Sequence, residues 1–237
     1  MPVKIDTSHA TTTSSPPRGD RRWLAFAIPA FIVALVAAGP YVTFSYTRIT
    51  LNAKVPAHIV FLSIHALASG TALLIGPLQF IRRIRADQPR VHRTIGAVYL
   101  LAVLIGSVMA LAAAIISTSG WTAQVGFVVL DAFWAYTGVQ AFRAVRAREY
   151  AAHRIWMIRN YSATFAAVLL RIFLILQMTL APVFNLPLRH EAAYDVSVWG
   201  SITVSILVAE LFIVQRSMRP LLPDSLKTSV PLPRIEA

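Results

Sequence analysis

Residues 94–117 read TIGAVYLLAVLIGSVMALAAAIIS, a stretch without one charged side chain. A helix of about 20 such residues spans the hydrocarbon core of a bilayer, so this stretch predicts a transmembrane helix. It shows no period-two alternation, which argues against a barrel strand. Apolar runs of similar length occupy 23–45 and 57–81 before it, and 121–142, 157–181 and 196–215 after it. Only helices satisfy this much backbone in lipid. The expected fold is therefore all-α, a six-helix transmembrane bundle over 23–216. The first run exceeds the ~7–15 apolar residues of a signal peptide, so it is expected to stay as a helix. Residues 1–22 are polar and rich in Ser, Thr and Pro, and 217–237 contain several prolines. Both are expected to be disordered tails.

Composition supports the same class. Of 237 residues, 57% are hydrophobic and 14% charged, with a mean hydropathy of +0.63. Soluble domains carry about 25% charged residues, so an ordinary soluble enzyme and a disordered chain are both excluded. The absence of cysteine excludes disulfides, thiolate metal sites, iron–sulfur clusters and covalently attached haem. No internal repeat supports an inverted-repeat transporter. The net charge is +12, from 22 basic and 10 acidic residues. On a soluble chain that would suggest nucleic acid. Here the placement of the charges explains it without a nucleic-acid partner. Four Lys or Arg lie in 1–22, five in 82–93, five in 143–159 and four after 215. Only Arg48, Lys54 and Arg189 fall on the opposite side, and Arg171 lies within a span. A split of 18 to 3 puts both termini in the cytoplasm. The basic loops are expected to attract anionic lipid head groups, at about 1 kcal/mol per residue.

Ionisable groups inside spans are costly and are candidates for function. His65, Asp131 and Arg171 come from three helices, eight to ten residues inside their outer ends. At ~1.5 Å per residue they share a level about 12–15 Å below the outer surface. They form the expected intramembrane polar site, with Asp131 and Arg171 as direct partners and His65 as a proton acceptor or hydrogen-bond link. A purely structural ion pair with a core histidine is the plainer alternative. A second, inner-side set comprises Gln79, His92, His153, Arg159 and Glu210. Glu210 is too far inward to pair with Arg171. Arg159, Gln79, Gln140 or a histidine are its expected partners, unless it snorkels to the interface. His92 and His153 open two helices at the inner surface. Two histidines at one level are the minimum for a bis-histidine b-type haem. They could equally bind a metal, though only two ligands are apparent. The alternative is a pair of interfacial histidines.

Three segments resemble signatures of one family. They are His65–Phe80 (HALASGTALLIGPLQF), His92–Tyr99 (HRTIGAVY) and His153–Arg159 (HRIWMIR), the last continuing to Arg171. In order and character they resemble a bacterial multi-pass membrane family, domain of unknown function 2306, over roughly 57–215. The resemblance implies a membrane protein with these histidines and arginines in its signature, and brings no activity. Three function classes fit the residues: small-solute or proton handling at the His65–Asp131–Arg171 site, a haem-binding redox protein using His92 and His153, and a structural or assembly protein. No motif for phosphate binding, nucleophilic catalysis or a zinc protease is present.

The charge split makes a topological prediction. Reporter fusions after Asn52, Gly120 and Glu191 should report the outside, and fusions after Asp87 and Glu149 the cytoplasm. An external 81–93 connection would reverse the orientation.

Overall fold

The computed structural model describes residues 24–42, 52 and 54–218. The expected tails at 1–22 and 217–237 lie outside the described residues, except that 217–218 continue the last helix. The helices are α1 (Leu24–Val42), α2 (Ala57–Ile75), α3 (Arg82–Asp87), α4 (Pro89–Ile115), α5 (Trp121–Arg146), α6 (Tyr150–Val183) and α7 (His190–Met218). No strand occurs among the described residues. Five stretches are long and apolar enough to cross a membrane: 57–80, 89–115, 121–146, 150–183 and 190–213. The apolar part of α1, Ala27–Val42, is shorter.

The boundaries differ from expectation in consistent ways. α4, α6 and α7 begin five to seven residues before their apolar runs, because polar residues at a membrane surface continue a helix as readily as apolar ones. His190, which lies between the apolar runs 157–181 and 196–215, therefore opens α7. The arginine-rich connection after α2 is itself ordered. Gly76–Phe80 tightens into a 3₁₀ turn at Pro77, and Arg82–Asp87 forms the short helix α3.

Consecutive long helices pack on one another, α1 on α2, α2 on α4, α4 on α5, α5 on α6 and α6 on α7. α1 also touches α6, and α7 touches α5, which closes the bundle. The end holding the 76–89 and 147–149 connections is the basic end, and the other is the far end. α4 shows how the faces divide. Leu101, Leu104, Val108, Leu111 and Ile115 form one exposed stripe at helical spacing, suited to lipid tails. Its buried face carries Ala102, Val103, Gly106, Ser107, Ala113 and Ala114. Apart from the buried Tyr99, the large residues of α4 face out and small ones face in, because lipid gives no hydrophobic drive between helices and close packing must supply it. A Cβ on Gly106 would stand 2.8 Å from the Trp134 ring, so α4 and α5 approach only with glycine there. Gly76 has the Tyr161 ring directly over it in the same way.

Polar side chains join the buried faces. Tyr99 on α4 donates to Asn160 Oδ1 on α6 at 2.7 Å. Asn160 Nδ2 donates to the Trp134 carbonyl at 2.7 Å and to Thr137 Oγ1 at 2.9 Å, both on α5. Trp134 Nε1 donates to Thr164 Oγ1 at 2.8 Å, and the Tyr99 and Thr164 hydroxyls lie 3.0 Å apart. Tyr99, Thr137 and Asn160 are wholly buried. Between α6 and α7, Gln177 donates to Ser197 Oγ and Ser162 to the Ser205 carbonyl.

Asn160→Leu removes three interhelical hydrogen bonds. At about 0.6 kcal/mol each in a membrane bundle, the loss is ~2 kcal/mol. Thermal unfolding in detergent should show that fall, and an unchanged midpoint would mean that the network does not hold the bundle.

Candidate functional site

The three residues expected at one intramembrane level occupy three separate environments. His65 joins α2 to α4: its Nδ1 lies 3.0 Å from the Gly106 carbonyl. A carbonyl only accepts, so Nδ1 carries the proton and Nε2 keeps its lone pair. The imidazole also meets the Trp134 ring edge-on at 6.3 Å. Asp131 is 7% exposed on the buried face of α5, and its Oδ1 is buried without a hydrogen-bond partner. Arg171 donates from Nη1 to the Ala167 carbonyl on its own helix at 2.7 Å. Tyr41, Tyr194 and His65 lie within its electrostatic reach.

The expected Asp131–Arg171 pair does not form among the described residues. Helix register gives the reason. Asn160 meets Thr137, and Thr164 one turn on meets Trp134. The next step along these antiparallel helices sets Ala167 level with Asp131, with Arg171 a further turn, ~5.4 Å, toward the far end. Leu170 accordingly clusters with Ala123, Val198 and Ile202, beside Phe127 and Tyr194. Counting inward from the apolar end of α6 misplaced Arg171 because depth depends on how far each helix overhangs its neighbours.

The inner-side residues divide into two groups. Arg159 and Glu210 form a bidentate ion pair between α6 and α7, with Nε–Oε1 at 2.6 Å and Nη2–Oε2 at 2.8 Å. The guanidinium also lies 4.8 Å over the Trp156 ring, which Tyr136 meets edge-on. This pairing uses one of the partners that the depth of Glu210 allowed. The second group is Gln79, His92 and His153. His153 Nδ1 donates to the Ala141 carbonyl on α5 at 2.8 Å. His92 lies within electrostatic reach of Arg85 and His153. His92 Nδ1 and Gln79 Nε2 are buried without partners. Among the described residues no three His, Asp or Glu side chains are grouped to hold a metal ion.

The Tyr99–Trp134–Thr137–Asn160–Thr164 network was not foreseen from the sequence. Screening spans for ionisable residues passes over neutral ones. Yet Asn160 and Thr164, four apart within an apolar run, obey the same rule that polar groups in lipid must find partners.

Residues 62–213 match the family model described as "Predicted membrane protein (DUF2306)", well over half of the chain. The match contains every candidate residue named above and leaves α1 outside. No curated protein and no solved structure matches the chain.

The geometry predicts different outcomes for two double-mutant cycles read by folded stability in detergent. Arg159→Gln and Glu210→Gln should couple by about 1 kcal/mol or more, because either single change strands the other charge. Asp131→Asn and Arg171→Gln should add within about 0.5 kcal/mol, as residues without contact do. The reverse pattern would overturn the described pairing.

Proposed function

The chain belongs to the DUF2306 family of predicted membrane proteins, and from that premise we propose that it takes up and releases a proton at Asp131, as part of moving a small solute. The single observation carrying this reading is the buried carboxyl whose Oδ1 has no partner. A carboxyl group without a counter-ion in hydrocarbon is expensive, and such groups mark proton relays and solute paths. Its surroundings suit that role. Trp134, on the same face one turn toward the basic end, contacts His65 and donates to Thr164. The Thr164 and Tyr99 hydroxyls then lead to Asn160. Arg171 stands one turn away on the far side. Polar groups thus occupy successive levels of an otherwise apolar bundle.

The same proposal places the protein in a bacterial inner membrane, with six spanning helices and both termini cytoplasmic. The support is the lysine and arginine distribution, with 82–93 and 143–159 both at the basic end of the bundle.

The test uses the full chain in liposomes, with an internal pH dye and infrared difference spectra across a pH change. The wild type should show proton uptake and a changing carboxyl band. Asp131→Asn should lose both, and Asp131→Glu should retain them. An Asp131→Asn protein indistinguishable from wild type would overturn the proposal.

A further inference from the structure

Three side-chain polar atoms among the described residues are buried without a hydrogen-bond partner. Asp131 Oδ1 is one. The other two are Gln79 Nε2, in the 3₁₀ turn after α2, and His92 Nδ1, in the first turn of α4, both at the basic end. Gln79 is 6% exposed in the 3₁₀ turn after α2. Its side chain lies against Gly96: a Cβ on that glycine would stand 3.2 Å from Gln79 Oε1. His92 is one turn before Gly96 on the same face of α4. The 3₁₀ turn after α2 and the first turn of α4 therefore each carry an unused polar atom, linked through Gly96, which Gln79 touches and which lies one turn from His92.

The chemistry of these atoms restricts what would complete them. An amide nitrogen only donates, so the missing group must accept. The His92 ring nitrogen donates in one tautomer. Arg85 on α3 lies within electrostatic reach of His92, as does His153 on α6. Arg82, Arg83 and Arg90 lie in the same stretch from α3 to the first turn of α4. This field repels a metal ion and attracts an anion. Both histidine-bearing positions also lie in the first turns of their helices, where the dipole favours negative charge.

We propose that Gln79 and His92 bind a phosphate group at the basic end of the bundle, with Arg85 supplying the nearby positive charge. The site is distinct from Asp131 and stands whether or not that residue handles protons. The phosphate comes either from the head group of an anionic lipid or from free phosphate in the aqueous phase. Glycine at position 96 leaves the space that the Gln79 amide occupies.

The experiment uses the purified full-length protein in detergent. Inorganic phosphate is titrated by calorimetry, and retention of phosphatidic acid is compared with that of diacylglycerol by native mass spectrometry. The variants are Gln79→Leu and His92→Phe, with Arg93→Gln as a control for general surface charge. Loss of one charge-assisted hydrogen bond should weaken binding about ten-fold. Phosphate binding that weakens in both variants and survives Arg93→Gln supports a free-phosphate site. Preferential retention of phosphatidic acid, with the same dependence, supports a head-group site. If Gln79→Leu fails to fold, Gln79→Glu replaces it, and its negative charge should abolish binding. The proposal is overturned if the wild type binds neither ligand, if the variants bind as the wild type does, or if Arg93→Gln loses as much. Binding of copper or haem at His92 without phosphate would overturn it too.

Discussion

Asn160 is wholly buried among three helices in a chain built for lipid. No water is at hand there, so its amide must be satisfied by protein. Both N–H groups go to α5 and the carbonyl accepts from α4. This requirement fixes more than one residue. Asn160 reaches both neighbours only if α5 and α6 keep one antiparallel register. That register then sets the level of every other side chain on those helices, Asp131 and Arg171 included. Close approach is possible because Gly106, Gly138 and a row of alanines line the same interfaces. In lipid, hydrogen bonds and tight packing do the work that hydrophobic burial does in water.

Against that background the unsatisfied groups carry the functional information. The network residues use their hydrogen-bonding capacity within the protein, and Arg159 and Glu210 neutralise each other. These groups stabilise the bundle and need no ligand. Asp131, Gln79 and His92 each hold a buried atom that the fold leaves unused. The sign of the local field separates them. Asp131 is an acid without an ion pair among the described residues, which suits a proton. Gln79 and His92 lie among arginines, which suits an oxyanion. They are separated along the bundle, one within the span and the other two at its basic end, so the two proposals can be tested apart.

The sequence by itself determined the fold class. Uncharged runs of about twenty residues have one stable form in a bilayer, so an all-helical membrane bundle was legible before any contact was known. Family membership was legible too, in three short segments around His65, His92 and His153, and the matched region contains all three. For Glu210 the sequence left several inner-side partners open beside snorkelling to the interface, and the packed bundle pairs it with Arg159. Tertiary structure decided the rest. Depth counted along one helix says nothing of how far that helix overhangs its neighbour. α6, 34 residues long, overhangs enough to separate Arg171 from Asp131 by a turn. Which polar atoms stay unpaired was equally hidden, since satisfaction depends on side chains brought in from other helices. His153 found a carbonyl on α5 while Nδ1 of His92 is left without a hydrogen-bond partner among the described residues, although both histidines are followed by arginine in the first turn of a helix. Residue type and spacing fix what a side chain can bond, and only the packed bundle fixes what it meets.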